Sequence, residues 1–269
     1  MNVTVMGWLA RFTIVAAFVS CGQQSTMSTT KDIYTNDKET RTLANQEQLQ
    51  WTVQLQGCSG SLLNPTTLIT ANHCSPRTGQ KYKTGLAAAA NKIADLKATK
   101  ILESNSNLDY ALVQVEWISS EYMKVQKYSP LIQTKPEDIA TGTDTDPNTT
   151  ALFTVGYPTD KKGAHYAVGF AKKLDAKNLE YNIGTINGNS GGSVWKTQDK
   201  MLVSSTNVGP HSYGQSGWNN NNPENPRAWN GGTRMDVIYA QSKTLKGIFP
   251  EGKNPLVNES GELIDSPQQ

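Results

Sequence analysis

The chain has almost no net charge: 25 Lys and Arg stand against 23 Asp and Glu, leaving +2 over 269 residues. That balance gives nucleic acid or an anionic surface no electrostatic footing. Histidine and cysteine are both scarce, three of each. They show no C-x-x-C or H-x-x-H spacing, so neither a metal nor a cofactor is expected. The apolar run Phe12–Val19 is too short to cross a bilayer as a mature helix. No repeat and no second module are visible. What the composition does hold is 22 glycines and 12 prolines among 36% hydrophobic residues, which suits a turn-rich β protein. The length is ample for one two-lobed domain.

Residues 1–20 read as a signal peptide, with Arg11 ahead of the apolar run. The run ends in Ser20-Cys21-Gly22, which resembles a bacterial lipoprotein processing site, although Phe18 stands where a leucine is usual. On that reading Cys21 is lipidated and tethers the protein to a membrane of the cell envelope; the alternative is an ordinary secretory signal cut nearby. Residues 21–48 are polar and read as a tether or propeptide. The fold is expected over 49–248, with a polar, mobile tail at 249–269.

The stretch Gly188-Asn189-Ser190-Gly191-Gly192 is the most informative. Glycine permits turns that a side chain forbids. A tight turn here presents the Ser190 hydroxyl and aims backbone N–H groups at one point, the two needs of acyl transfer. Alone it could equally be a surface turn. Upstream, however, Thr70-Ala71-Asn72-His73-Cys74 follows a β run, and Asn107-Leu108-Asp109 opens the apolar strand Tyr110–Val115. Imidazole can take and return the serine proton near neutral pH. A carboxylate at the edge of an apolar run needs a partner, and His73 would be that partner for Asp109. Asp95 is the rival acid, without the Ala-Leu strand after it.

These motifs resemble the chymotrypsin-fold serine peptidases over about residues 50–245. Val155-Gly156-Tyr157-Pro158, Tyr181-Asn182-Ile183-Gly184-Thr185 and Asn230-Gly231-Gly232-Thr233 resemble the bacterial glutamyl endopeptidases. The resemblance implies an all-β fold of two six-stranded antiparallel barrels with a C-terminal helix, Met235–Lys246. It implies a His73-Asp109-Ser190 triad, an oxyanion site at the N–H groups of Gly188 and Ser190, and a monomer acting on protein or peptide substrates. With Cys21 lipidated, Cys58 and Cys74 remain to pair; in the family such a bridge lies behind the catalytic histidine. Composition would allow a helix over Ala87–Ala98, where the family has a strand and a loop. Trypsin-like zymogens bury a new N-terminal amine against an aspartate preceding the serine, but Asn189 is uncharged.

Specificity is where the sequence departs from its relatives. Gly184 stands six residues before Ser190, where trypsin-like enzymes carry an aspartate, so no preference for basic residues is expected. Thr185 matches a threonine that helps glutamyl endopeptidases hold a substrate carboxylate. Their histidine on the following pocket strand falls, by this count, at Ser205 or Thr206. Met201–Ser205 would then line the cleft, followed by a long loop with Trp218 and Trp229. Arg234 offers a substitute cation for an acidic P1 side chain; if it points outward, a small or uncharged P1 residue is the competitor. Two further readings stay open. One is an α/β-hydrolase, since GNSGG satisfies G-x-S-x-G. The other is an inactive peptidase fold serving as a binding protein.

The lipid tether is tested by Cys21→Ser, which should move the protein from the membrane into soluble fractions. Unchanged detergent partitioning would remove the lipoprotein reading.

Overall fold

The computed structural model describes residues 41–264 apart from 131, 133, 144, 198–204 and 215–229. The signal segment, Cys21, Met201–Ser204, Trp218 and Trp229 lie outside the described residues. The first half holds β1 (Thr42–Leu43), β2 (Val53–Leu55), β3 (Cys58–Asn64), β4 (Thr67–Thr70), β5 (Lys81–Thr84), β6 (Leu96–Asn105) and β7 (Tyr110–Trp117). The second holds β8 (Ala151–Gly156), β9 (His165–Leu174), β10 (Asn178–Tyr181), β11 (Ser193–Thr197), β12 (Ser205–Pro210), β13 (Tyr213–Gly214) and β14 (Asn230–Thr233). Four short helices complete the set: α1 (Gln46–Leu49), α2 (Gly85–Ala89), α3 (Met235–Gln241) and α4 (Lys243–Ile248).

The expected pair of β lobes forms, the first a closed six-stranded barrel and the second, in place of another six-stranded barrel, an eight-stranded sheet curled into a half-barrel. β2-β3-β4-β7-β6-β5 close into a six-stranded antiparallel barrel. The second lobe runs β12-β11-β8-β9-β10-β14-β13. Its two ends, β12 and β13, are separated in the chain only by His211 and Ser212, so the sheet curls back on itself. Ser212 N–H donates to Gly231 O at 3.0 Å at that seam.

The apolar doublets of the first barrel have a physical reason. Leu62, Leu68 and Val113 point into the barrel, while their neighbours Leu63, Ile69 and Leu112 point outward. The outward set is covered by Met235, Ile238, Leu245 and Phe249 of the C-terminal segment. Both faces of these strands are dry, so alternation gives way to continuous apolar runs. The second barrel has its own core, including Leu152, Leu179, Tyr181, Val194 and Val208. Trp51, Phe153, Val155 and Trp195 form a further cluster, with the Trp51 and Trp195 rings edge to face at 4.7 Å.

The structure corrects three expectations. The fold begins before residue 49: β1 pairs with β9, Asn45 and Gln48 form a capping box, and Arg41 makes a two-pronged bond to Asp160 at 2.9 and 2.7 Å. Over Ala87–Ala98, where composition allowed a helix and the resemblance implied a strand and a loop, α2 ends at Ala89 and β6 begins at Leu96. The C-terminal helix is two, broken at Ser242, whose backbone is extended and whose Oγ caps Leu245 N–H at 3.0 Å. Residues 250–264 are not a loose tail. Asn254 is buried and its Nδ2 donates to Leu63 O at 2.7 Å and Ser129 O at 3.1 Å, while Val257 joins the first core.

Asn254→Ala should therefore cost about 2 kcal/mol, since two buried carbonyls lose their donor. Urea unfolding should show a lower midpoint at unchanged slope. A wild-type midpoint would mean that these bonds contribute nothing.

Candidate active site

β3 and β4 form a hairpin that delivers the 3-10 turn Asn72–Cys74 at one rim of the first barrel. Cys58, the first residue of β3, is disulfide-bonded to Cys74, with Cα atoms 6.1 Å apart. Closing a loop of 16 residues is worth about 3 kcal/mol in chain entropy. The bridge fixes His73, which precedes Cys74. Both sulfurs lie close to the His73 ring, but bonded to each other they offer no thiolate to a metal.

Asp109 comes from the β6–β7 turn. Asn105 shapes that turn by accepting from Asn107 N–H at 2.9 Å and Leu108 N–H at 3.0 Å. Leu108 anchors it in the core. Asp109 itself takes a left-handed φ of 46°, uncommon for a side-chain-bearing residue. The result is a carboxylate that grips His73 twice. Oδ1 accepts from the His73 backbone N–H at 2.9 Å and Oδ2 lies 2.8 Å from Nδ1. An ionised carboxylate can only accept, so Nδ1 carries the proton and Nε2 is left as the base.

The electrostatics follow. The hydrogen bond to Asp109 raises the His73 pKa above 6.5, against a smaller opposing effect of burial. For Asp109, burial pushes upward, but the His73 ring and N–H, the His73 charge and the nearby Ser212 hydroxyl together hold it below 3.8. The Ser212 hydroxyl is buried and faces this carboxylate without reaching hydrogen-bond geometry. The rival, Asp95, is structural: it is buried and accepts from Thr84 N–H at 2.8 Å and Thr84 Oγ1 at 2.6 Å.

Ser190 arrives from the other barrel, on the turn before β11. Ser59 N–H donates to Ser190 O at 2.8 Å, and the Cys74 sulfur lies 3.5 Å from the same oxygen. As half of a disulfide that sulfur carries no proton, so this is packing. Gly191 has φ +82°, and a Cβ there would sit 2.1 Å from Thr70 Oγ1. Gly188 has φ +95°, and a Cβ there would sit 2.2 Å from Tyr157 O. Only glycine allows either approach. The N–H groups of Gly188 and Ser190 donate to no acceptor among the described residues. The turn leads into a strand rather than a helix, which removes the α/β-hydrolase alternative.

These features coincide with a family match. Residues 58–203, more than half of the chain, match the model of the trypsin-like peptidase domain. The chain belongs to the trypsin-like peptidases. No curated protein matches this peptidase in sequence. Among solved structures it is similar to a Glu endopeptidase in complex with MPD. The two are 18% identical with a TM-score of 0.52, over 76% of this chain and 95% of that one. At that identity the likeness is one of fold.

The remaining predicted residues of the peptidase scatter. Thr185 is half-buried between Ile183 and the Ser190 turn. Ser205 and Thr206 pair with Thr197 and Lys196, at the far end of β12. Five residues of strand put Thr206 about 16 Å from His211. The segment that lies against the Ser190 turn is instead Pro210–His211: Gly191 N–H donates to His211 O at 2.7 Å, and His211 N–H to Gly192 O at 2.8 Å. Arg234 is also displaced. Its backbone N–H donates to Lys177 O at the β9–β10 turn, and its guanidinium holds Asp236 at 3.0 and 2.5 Å and Asp175 O at 2.5 Å. Already neutralised and 8% exposed, it is no partner for a substrate carboxylate.

His211 is the residue that sequence counting missed. It is buried, its Nδ1 is 2.7 Å from Tyr181 OH, and burial, with the His73 charge second, drives its pKa down to about 4. Imidazole NMR should resolve the two rings. His73 should titrate above 6.5 and fall in Asp109→Asn, while His211 should stay neutral down to about 4. A single shared pKa near 6.5 would contradict this geometry.

Proposed function

We propose that this trypsin-like peptidase is an active serine endopeptidase using His73, Asp109 and Ser190. The observation that carries the reading is the two-pronged grip of Asp109 on His73, at 2.9 and 2.8 Å, on the turn bridged to the strand that binds Ser190 O. In the reaction, Ser190 Oγ bonds to the scissile carbonyl carbon as His73 Nε2 takes its proton. The carbonyl oxygen, now an oxyanion, is met by the N–H groups of Gly188 and Ser190. Collapse expels the amine, which leaves with the proton from His73, and water repeats the sequence on the acyl-enzyme. Asp109 keeps the ring in one tautomer and stabilises its charged form. An inactive binding fold has no use for this constellation. The Cys58–Cys74 bridge supports residence in an oxidising compartment outside the cytoplasm.

We further propose an acidic P1 preference, with His211 and Thr185 as the pocket residues instead of Arg234. Tyr181 OH beside Nδ1 supports a proton on Nε2, and a substrate carboxylate there would draw His211 toward its charged form. A small uncharged P1 residue is the competing reading, favoured by how readily burial neutralises His211.

Two measurements test this. Ser190→Ala should lower kcat by about 10⁶-fold, and near-normal proteolysis would sink the triad. A peptide library read by mass spectrometry should show cleavage after Glu that His211→Ala weakens and Arg234→Ala leaves in place. Cleavage after Ala, Val or Leu with His211→Ala neutral would end the acidic reading.

A further inference from the structure

Three successive peptide groups make the turn that presents Ser190, and every carbonyl has a partner. Asn187 O accepts from Thr159 N–H at 2.8 Å, Gly188 O from the Ser59 hydroxyl at 2.8 Å, and Asn189 O from Gly192 N–H at 3.0 Å. In a planar trans peptide the N–H points opposite to its own carbonyl. Holding the first and third carbonyls thus fixes where the Gly188 and Ser190 N–H groups point, the side on which the reading above puts the oxyanion. Holding the second keeps Gly188 O away from that side. Two of the three anchors are backbone amides. The third, Ser59, is a side chain reaching across from the other barrel.

Its geometry leaves one orientation. Ser59 is completely buried, and its Oγ also accepts from Tyr157 N–H at 2.9 Å. An amide can only donate, so the single hydroxyl proton goes to Gly188 O. The same residue contributes its backbone N–H to Ser190 O and its carbonyl to Thr70 Oγ1, the latter at 2.8 Å.

We propose that Ser59 is the positioning residue of the oxyanion site: its hydroxyl fixes the Gly188–Asn189 peptide so that the flanking N–H groups face the substrate oxygen. This rests on the peptidase reading above. Without the hydroxyl, Gly188 O is a buried acceptor with no donor. Glycine at φ +95° opposes rotation weakly. The carbonyl then seeks a partner in the space meant for the oxyanion, and the transition state loses stabilisation that the bound substrate never had.

The test compares Ser59→Ala with Ser61→Ala. Ser61 is a buried serine two residues along β3, whose Oγ donates to Trp51 O at 3.1 Å and accepts from Ser193 N–H at 3.3 Å, outside the turn. Active enzyme is counted by fluorophosphonate labelling, so partial unfolding does not enter the rates. Ser59→Ala should lower kcat on the order of 10- to 100-fold, below the effect of deleting an oxyanion donor outright. KM should stay within about twofold, and affinity for a peptide boronate, whose oxygen occupies the oxyanion position, should fall by the same factor as kcat. Ser61→Ala should keep kcat within about threefold, even at an equal loss in Tm. A Ser59→Ala enzyme with wild-type kcat and boronate affinity overturns the assignment, as does an equal loss in both variants. Ser59→Gly removes the same hydroxyl and is read by the same numbers if the alanine variant does not accumulate. A wild-type protein that neither labels at Ser190 nor cleaves peptides overturns the peptidase reading itself, a result distinct from either.

Discussion

Ser59 N–H donates to Ser190 O at 2.8 Å, and that bond ties the first barrel to the Ser190 turn of the second. Each barrel has its own core, and a further apolar cluster spans the two, gathering Trp51 and Leu86 of the first lobe with Phe153, Val155 and Trp195 of the second. At the Ser190 turn the fit between them is close: β3 lies against it through Ser59, and Gly191 is fitted against Thr70. Such contacts tolerate no Cβ. A glycine-rich turn is costly in chain entropy, and here it is held by hydrogen bonds from three directions. The sequence GNSGG therefore reflects a packing constraint as much as a chemical one.

The disulfide and Asp109 restrain His73 from opposite sides. Cys74 pulls the 3-10 turn onto β3, the strand that also grips Ser190. Asp109 grips both the ring and the backbone N–H of His73. The ring still keeps 46% of its side-chain surface exposed, so its proton can be exchanged. His211 is the reverse: buried, neutral, and fixed through both its backbone and Tyr181. Two histidines on neighbouring segments thus have pKa values driven apart by burial and by one carboxylate.

How much of this the sequence showed depends on how local each cause is. His73, Asp109 and Ser190 sit in short motifs whose neighbours determine their geometry, and the pairing of His73 with Asp109 could be expected from the sequence. The two-barrel fold was legible from strand runs and from the resemblance those motifs carried. His211, proposed here for the pocket, escaped the count because its place depends on the length of the hairpin after β11, which no residue pattern fixes. Counting forward from Ser190 stopped at Thr206, one strand length short. Arg234 was misjudged for a different reason. Its partner Asp236 lies two residues on, in the first turn of α3, and a nearer carboxylate outcompetes one on a substrate. The C-terminal residues looked like a tail because they are polar, and burial of Asn254 depends on two carbonyls distant in sequence.

Asn189 shows how this turn differs from one held by charge. It is 3% exposed, and its Oδ1 has no hydrogen-bond partner among the described residues. A carboxylate in that position would need a cation, since a buried unpaired charge costs several kcal/mol. The amide needs none. Its backbone N–H instead donates to Ile186 O at 3.1 Å, and the neighbouring carbonyls are held by Thr159, Ser59 and Gly192. Every one of these partners is neutral: Ile186 and Gly192 belong to the turn itself, Thr159 to the same lobe and Ser59 to the other barrel. The shape of the turn is therefore set by neutral hydrogen bonds, one of them reaching across from the first barrel, and by no ion pair at the residue preceding Ser190.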